Sequence, residues 1–254
     1  MELDLAGKTA IVTGASKGIG KAVAEGLAAE GCHLHIVSRT GADLEKVRDT
    51  ITSRHQVSVT VHAMDLGDGG NAKKLIAACP DADILVNNAG AIPGGSLTRI
   101  EEERWRDAWD LKVFGYINLC REMYRHMAER KAGVIINIIG VGGEKPTAGY
   151  IVGSAGNASL MAFTRGLGGQ SADDGIRVVG VNPGMIETER LRSLTGSLAG
   201  SDPKGLERML QALPFGRPGK PEEVADLVTF LASDRASYIS GTIITVDAGA
   251  AHRG

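Results

Sequence analysis

The chain has 254 residues, enough for one large domain or two small ones, and its 43% hydrophobic and 23% charged residues are ordinary for a globular protein. A formal net charge of −2 gives no support for a nucleic-acid or membrane partner, and no apolar run reaches membrane-spanning length. Cys32, Cys79 and Cys120 lie far apart without metal-ligand spacing, which favours reduced thiols and predicts no metal site. The start, Met-Glu-Leu-Asp, lacks the features of a signal peptide, so we expect a cytoplasmic protein.

The first predicted elements are a strand, a glycine-rich turn and a helix. The short apolar run Ala10–Val12 is typical of a buried parallel strand. Gly14, Gly18 and Gly20 follow, and from Lys21 the apolar residues take a helical spacing. Such a turn places backbone N–H groups and the positive helix end around an anion, and glycine lets a pyrophosphate approach the backbone. We therefore predict a dinucleotide site here, with an ordinary glycine turn as the alternative.

Strands and helices alternate along the rest of the chain without a composition break or a repeat. This alternation predicts a single α/β domain over residues 1–254, a Rossmann-type, doubly wound, parallel seven-stranded sheet with helices on both faces. The irregular stretch Asn182–Pro203 is predicted to be a substrate lid. The later predicted strands are His33–Ser38, Val57–His62, Ile84–Asn87, Val134–Ile138, Ile176–Val181 and Thr242–Val246, and the later helices are Asp43–Ser53, Asn71–Ala78, Glu102–Arg130, Tyr150–Ala172 and Pro221–Ala232.

Several motifs resemble those of the short-chain dehydrogenase/reductase family, in the family's order and over nearly the whole chain. The first turn, Thr13–Gly20, reads T-G-x-x-x-G-x-G. Asn87–Gly90 (N-N-A-G) follows the fourth strand, Asn182–Gly184 (N-P-G) follows the sixth, and Ser240–Gly249 closes the sheet. The resemblance implies an oxidoreductase that moves a hydride between a nicotinamide cofactor and the carbon of a small-molecule carbonyl or alcohol.

Local charge predicts which dinucleotide the chain prefers. The second strand ends in Ser38 and Arg39, where an NAD-preferring member has an acidic residue on the adenosine ribose. A guanidinium pairs bidentately with a 2′-phosphate instead, and Lys17 adds a second positive charge. We therefore expect NADP(H) in preference to NAD(H), with solvated surface charges as the alternative. The residues assigned to the cofactor, partly by resemblance, are Gly14, Ser16, Lys17, Gly18, Ile19, Gly20, Ser38, Arg39, Asp65, Leu66, Asn88, Ala89, Gly90, Pro183, Gly184, Ile186 and Thr188.

The family's usual catalytic set, an Asn, a Ser and Tyr-x-x-x-Lys, is only partly present. Tyr150 matches the tyrosine, but Ser154 stands where the lysine is expected. Gly140 stands at the serine position and Lys112 at the asparagine position, and the connection to Tyr150 is shorter than usual by a few residues. Only the tyrosine of the set is retained.

This departure favours one direction of reaction. Without an adjacent ammonium Tyr150 is a poor base for alcohol oxidation, but a neutral phenol still donates a proton during carbonyl reduction. We hypothesise that Lys112 supplies the missing ammonium from a neighbouring helix and that Ser154 takes over hydrogen bonding to the nicotinamide ribose. The alternative is a Lys112 that faces solvent, as lysines on long helices generally do.

Two functions follow from the sequence. The first is an NADP(H)-dependent reductase of a ketone or aldehyde, either of 3-oxoacyl type or another small carbonyl compound, with Tyr150, Ser154 and Lys112 as catalytic residues. The second is a catalytically degenerate dinucleotide-binding or sensing protein of the same fold. The resemblance also implies a homotetramer or homodimer, since the two long helices carry more apolar surface than one side of the sheet can cover.

Overall fold

The computed structural model describes residues 2–189, 191–192, 195 and 202–253, which form one parallel sheet with helices on both faces. Its strands are β1 Thr9–Thr13, β2 His33–Ser38, β3 Val59–Ala63, β4 Ile84–Asn87, β5 Gly133–Ile138, β6 Ile176–Pro183 and β7 Ile243–Val246. In space their order is β3-β2-β1-β4-β5-β6-β7. The predicted doubly wound seven-stranded sheet, a single Rossmann-like domain, is thereby confirmed.

The helices in the described part of the chain cover both faces of this sheet. They are α1 Gly18–Ala29, α2 Gly41–Thr52, α3 Gly69–Ala78, α4 Glu102–Trp109, α5 Gly115–Glu129, α6 Ile151–Gln170, α7 Pro203–Gln211 and α8 Pro221–Ala232. Because successive strand residues point to opposite faces, Val12 packs in the cluster with α1, α2 and α8, whereas Ile11 packs with α3 and α5. None of the helices described is long and apolar enough to cross a membrane.

The predicted helix over Glu102–Arg130 is present, but it is not a regular α-helix throughout. A π-helical segment, Asp110–Phe114, separates α4 from α5. The chain changes its packing partner there: Trp109 Nε1 of α4 donates a hydrogen bond to the Val152 carbonyl of α6 (3.2 Å), whereas Met123 of α5 is buried against the sheet. A π turn contains one extra residue and often occurs at functional sites. A regular apolar spacing in the sequence cannot show such an insertion.

Several predicted elements differ from the observed ones by one to three residues at their ends. The first helix begins at Gly18 rather than Lys21, so the last glycines of the turn also form the first helical turn. Nine of the 22 residues of the predicted lid, Asn182–Pro203, lie outside the described residues: 190, 193–194 and 196–201. Its described beginning is anchored, because Ile186 is buried and forms a bridge with Gly219. The lid as such therefore stays a prediction.

The order of strands reverses between β1 and β4, and this is the switch point where ligands of open α/β sheets bind. Thr13 joins the two strand ends there. Its Oγ1 accepts hydrogen bonds from the backbone N–H groups of Asn88 (2.9 Å) and Ala89 (3.0 Å) and donates one to the Val86 carbonyl (3.3 Å). The side-chain amide of Asn88 donates in return to the carbonyls of Thr13 (2.9 Å) and Gly14 (3.2 Å). The loops after β1 and β4 are thus held as one unit.

Replacing Thr13 with valine should test this junction. The side chain is fully buried, and Thr13→Val keeps its shape but leaves two backbone N–H groups without their acceptor. We expect a loss of about 2 kcal/mol in the free energy of unfolding, measured by urea denaturation. Thr13→Ser keeps the hydroxyl and serves as the control. An equal loss in both variants would show that the hydroxyl does not hold the loops together.

Candidate active site

The glycine-rich turn after β1 forms a cradle at the start of α1. Gly14 and Gly18 have positive φ angles of 66° and 57°. A Cβ at Gly14 would stand 2.8 Å from Asn88 Nδ2, and one at Gly20 would overlap both this amide and the Gly14 carbonyl. No side chain among the described residues caps the start of α1 at Lys17, so its first-turn N–H groups are left to an anion. The turn therefore has the features that a bound diphosphate needs.

The two basic residues assigned to the 2′-phosphate lie in different environments. Lys17 Nζ forms an exposed ion pair with Glu189 Oε2 at 2.8 Å. Arg39 follows the end of β2, is exposed, and makes no ion pair with another described residue. Its neighbour Ser38 accepts a hydrogen bond from the Thr40 N–H at 3.3 Å, which orders the turn after β2. The guanidinium can therefore meet a phosphate, while Lys17 must first exchange its carboxylate partner.

Asp65 and Leu66, which the resemblance implies to flank the adenine of the cofactor, follow β3, the strand beside β2. Asp65 Oδ1 accepts a hydrogen bond from the Gly67 N–H (2.9 Å), and Leu66 is buried in the core on the α3 side. Gly41, at the start of α2, approaches the same region, since its Cβ would stand 3.3 Å from Ala63. These residues lie at the carboxyl edge of the sheet, as the prediction requires.

Other assigned cofactor residues follow β4 and β6. The resemblance implies that Asn88 and Gly90 line the ribose and that Ile186 and Thr188 hold the nicotinamide carboxamide. Gly184 donates its N–H to the Val246 carbonyl (2.9 Å), directly after Pro183, the last residue of β6. Thr188 reaches back to the glycine turn, where its methyl would stand 3.3 Å from a Cβ at Gly18. The structure thus brings the segment after β6 to the cradle. The remaining predicted cofactor residues are Ser16 and Ile19 in the turn and first helical turn, Asn88, Ala89 and Gly90 after β4, and the buried Ile186.

Lys112 projects from the π-helical segment into the carboxyl edge and is only 7% exposed. Its amine donates hydrogen bonds to the Ile138 carbonyl (2.8 Å) and to the Tyr116 hydroxyl (3.0 Å), while that hydroxyl donates to the same carbonyl (2.9 Å). The side chain passes Gly90, where a Cβ would lie 2.7 Å from its Cδ. Burial raises the pKa of Tyr116 well above its usual value. The alternative of a solvent-facing Lys112 is therefore wrong.

Tyr150 stands immediately before α6, and its ring folds back over the first turn of that helix. A Cβ at Gly153 would overlap the ring carbons and the hydroxyl of Tyr150. On another side, a Cβ at Gly142 would lie 3.2 Å from Tyr150 Cδ1. The side chain is half-buried and also packs against the cluster that contains Ile92 and Val152. The phenol thus lies between the helix and the turn that follows β5.

Ser154 and Asn157 lie on the same side of α6 as Tyr150, but they differ in their bonding. Ser154 Oγ accepts a hydrogen bond from the Thr147 N–H (3.2 Å) and is 2% exposed, so it holds the loop that leads into α6. Asn157 is 3% exposed, and its Oδ1 is buried without a hydrogen-bond partner among the described residues. Its Nδ2 lies 3.0 Å from the place of a Cβ at Gly140 and 3.6 Å from one at Gly142. Asn157 therefore borders the same space as the Tyr150 ring.

Comparisons with known proteins identify the family. The family model described as Enoyl-(Acyl carrier protein) reductase matches residues 14–251. The 3-oxoacyl-(acyl-carrier-protein) reductase FabG of Chlamydia trachomatis serovar D is 33% identical over 251 residues, covering 97% of this chain and 98% of the relative. FabG of Escherichia coli K12 is 33% identical over 248 residues, with the same coverage. The chain belongs to the short-chain dehydrogenase/reductase family.

Solved structures of the same family agree in fold over the full chain. The L-sorbose reductase of Gluconobacter frateurii, solved with NADPH and L-sorbose, matches with a TM-score of 0.92 and 30% identity, covering 100% of both chains. YwfH, described as an NADPH-dependent reductase involved in bacilysin biosynthesis, matches with a TM-score of 0.90 and 33% identity over 96% of this chain and 98% of that one. Both relatives are reductases, and both are described with NADPH.

The structure adds Gly153, which the sequence interpretation did not name, to the site. It also shows the contacts of Asn157 and Glu144, which the sequence places near Tyr150 but which were not assigned a role. Gly153 lies under the Tyr150 ring, and Asn157 borders the same space. Glu144 accepts hydrogen bonds from Asn182 (3.3 Å) and Thr245 (3.0 Å), and so anchors the loop before Tyr150 to β6 and β7. The connection to Tyr150, which the sequence interpretation took to be shorter than usual, was the available signal for Gly153.

Proposed function

We propose that this short-chain dehydrogenase/reductase is an NADP(H)-dependent reductase of a ketone or aldehyde, with Tyr150 as proton donor. The observation that carries the proposal is a meeting of two features at one edge of the sheet. The diphosphate cradle of Gly14–Gly20 and the Tyr150 phenol both lie at the carboxyl ends of the central strands. The FabG relatives favour a 3-oxoacyl type of substrate, and the sugar reductase shows that this fold also accepts a small free carbonyl compound.

The chain's own residues divide the work of reduction. When bound, the reduced nicotinamide supplies a hydride to the carbonyl carbon. Tyr150 Oη donates a proton to the carbonyl oxygen, and general acid catalysis of this kind contributes about 10²- to 10⁴-fold. The buried Lys112 ammonium lowers the energy of negative charge that develops near the end of β5. Ser154 Oγ accepts the N–H of Thr147 and so holds the loop before Tyr150 in place. Its hydroxyl proton is free to be donated to the nicotinamide ribose.

Preference for NADP(H) rests on the absence of an acidic residue after β2 and on the exposed Arg39 guanidinium. An arginine fork pairs with two phosphate oxygens, whereas an acidic residue would accept hydrogen bonds from the free ribose hydroxyls of NAD(H). Glu189 weakens the second cation, Lys17, by pairing with it. In this proposal Lys17 and Arg39 bind the cofactor together with the other residues that the sequence analysis assigned to it.

A homotetramer or homodimer is also part of the proposal. Leu97 and Phe114 are apolar and 66% and 50% exposed, and they flank a groove that Trp105 and Trp109 line on α4. A second copy that packs on this face would bury them.

Exchange of Tyr150 for phenylalanine should separate an enzyme from a degenerate binding protein. Tyr150→Phe removes the hydroxyl and keeps the ring over Gly153, so we expect kcat for carbonyl reduction to fall by about 10²- to 10⁴-fold. The affinity for NADPH, measured by fluorescence titration, should stay the same. If neither the wild type nor the variant reduces any member of a broad panel of ketones and aldehydes, while both bind NADPH, the degenerate alternative holds.

Lys112→Met tests the buried ammonium. The Ile138 carbonyl keeps its bond from Tyr116, so the variant should fold and bind NADPH. We expect kcat to fall by at least about tenfold, because the preorganised positive charge at the end of β5 is lost. Tyr116→Phe, which retains the bond from Lys112 to Ile138, is the matched control and should lower kcat less. Equal kcat values for Lys112→Met and the wild type would rule out a catalytic role for the amine.

The preference for NADP(H) can be tested at both basic residues, Arg39 and Lys17. Arg39→Asp should move the ratio of kcat/KM values towards NADH by at least about 100-fold, since a charge-assisted bidentate pair is replaced by repulsion. Glu189→Gln frees Lys17 from its ion pair and should tighten NADPH binding while leaving NADH binding unchanged. An Arg39→Asp variant with an unaltered ratio would contradict the assignment.

A further inference from the structure

The backbone of α6 leaves a space beneath the Tyr150 ring. Tyr150 is the N-cap of this helix, and its ring runs along the helix instead of away from it. Gly153, three residues after Tyr150, is buried. A Cβ at this position would overlap the ring and the hydroxyl of Tyr150. Residues three apart on a helix lie on one face, so a side chain at 153 would stand where the phenol now stands.

A glycine-containing turn, residues 140–143, closes the space from the other side. Gly140 has a φ of 129°, and this turn packs so closely on α6 that a Cβ at Gly143 would stand 2.6 Å from the Ala158 backbone nitrogen. A Cβ at Gly142 would lie 3.2 Å from the Tyr150 ring and 3.6 Å from Asn157 Nδ2. The ring and the amide therefore both border the space next to Gly142.

We propose that Gly153 is the residue that positions the proton donor: by lacking a side chain it seats the Tyr150 phenol beside Asn157, at the place that a side chain of residue 153 would otherwise take. The proposal rests on the proposed reductase function. Gly153 and Asn157 are four residues apart, the spacing of the family's tyrosine and lysine. In this proposal the phenol of Tyr150, one helical turn earlier, takes the place of a side chain at residue 153. The buried carboxamide of Asn157, whose Oδ1 has no hydrogen-bond partner among the described residues, takes the second position.

The decisive variant adds one methyl group to this seat. Gly153→Ala forces the ring to move. Gly166→Ala adds the same methyl to the same helix, where no described atom lies within 4 Å of it apart from the chain neighbours and the backbone of its own helix. The chain has only four tyrosines, so the ring signal of Tyr150 can be assigned by NMR of ring-labelled protein with Tyr150→Phe as reference. We expect Gly153→Ala to shift this signal and Gly166→Ala to leave it in place.

Turnover gives the second readout. Gly153→Ala should lower kcat by about 100-fold, the effect of a misplacement near 1 Å, with an unchanged affinity for NADPH. Gly166→Ala should keep the wild-type kcat. An unmoved Tyr150 signal together with a wild-type kcat in Gly153→Ala would overturn the proposal.

A double-mutant cycle keeps the test independent of turnover and of the stability of one variant. Gly153→Ala should lower the Tm of the wild type but raise it in a Tyr150→Ala background, because alanine favours the helix once the ring is gone. The same loss of Tm in both backgrounds would contradict the proposal that Gly153 makes room for the Tyr150 ring. If the cycle and the NMR signal show the coupling but the wild type reduces no carbonyl, the proposed function fails while Gly153 still positions the ring.

Discussion

Everything at the site depends on the hydrogen bonds that Thr13 makes between the ends of β1 and β4. These two strands are neighbours in space but far apart in sequence, and the ligand-binding crevice opens between their loops. Thr13 and Asn88 satisfy each other's backbone groups across this gap. Because the glycine turn is held from both sides, its backbone N–H groups keep a fixed direction without a bound anion.

A second constraint is the close approach of α6 to its surroundings. Gly156 lets the π-helical segment come near, since a Cβ there would stand 3.2 Å from Trp109 and Val113, and Gly153 admits the Tyr150 ring. The same packing directs Lys112 inward to the end of β5. The π turn and the loop before Tyr150 thus act at the same edge of the sheet: the first directs Lys112 and the second Tyr150 toward the carboxyl ends of the strands.

Most of the fold was accessible from the sequence because the strands and most of the helices show local patterns; α7 was not predicted. Short apolar runs such as Ile84–Asn87, with glycines or a proline near their ends, reproduce the observed strands closely. The site was accessible only in part. The glycine spacing shows the cradle, and the helix register places Tyr150, but the side-chain direction of Lys112 depends on a π turn that the apolar pattern does not show. The Tyr150 ring occupies the space that a side chain at Gly153 would take, and only the three-dimensional packing shows this.

The central claim is that hydride reaches a carbonyl carbon beside the Tyr150 phenol, and isotope transfer measures this directly. The purified chain is incubated with a 3-oxoacyl thioester, or with a panel of small ketones and aldehydes, and NADPH that carries two deuterium atoms at C4 of the nicotinamide. The account predicts an alcohol with one deuterium on the new carbinol carbon, detected by mass spectrometry. A chain that binds the cofactor but yields no deuterated alcohol from any of these substrates would contradict it.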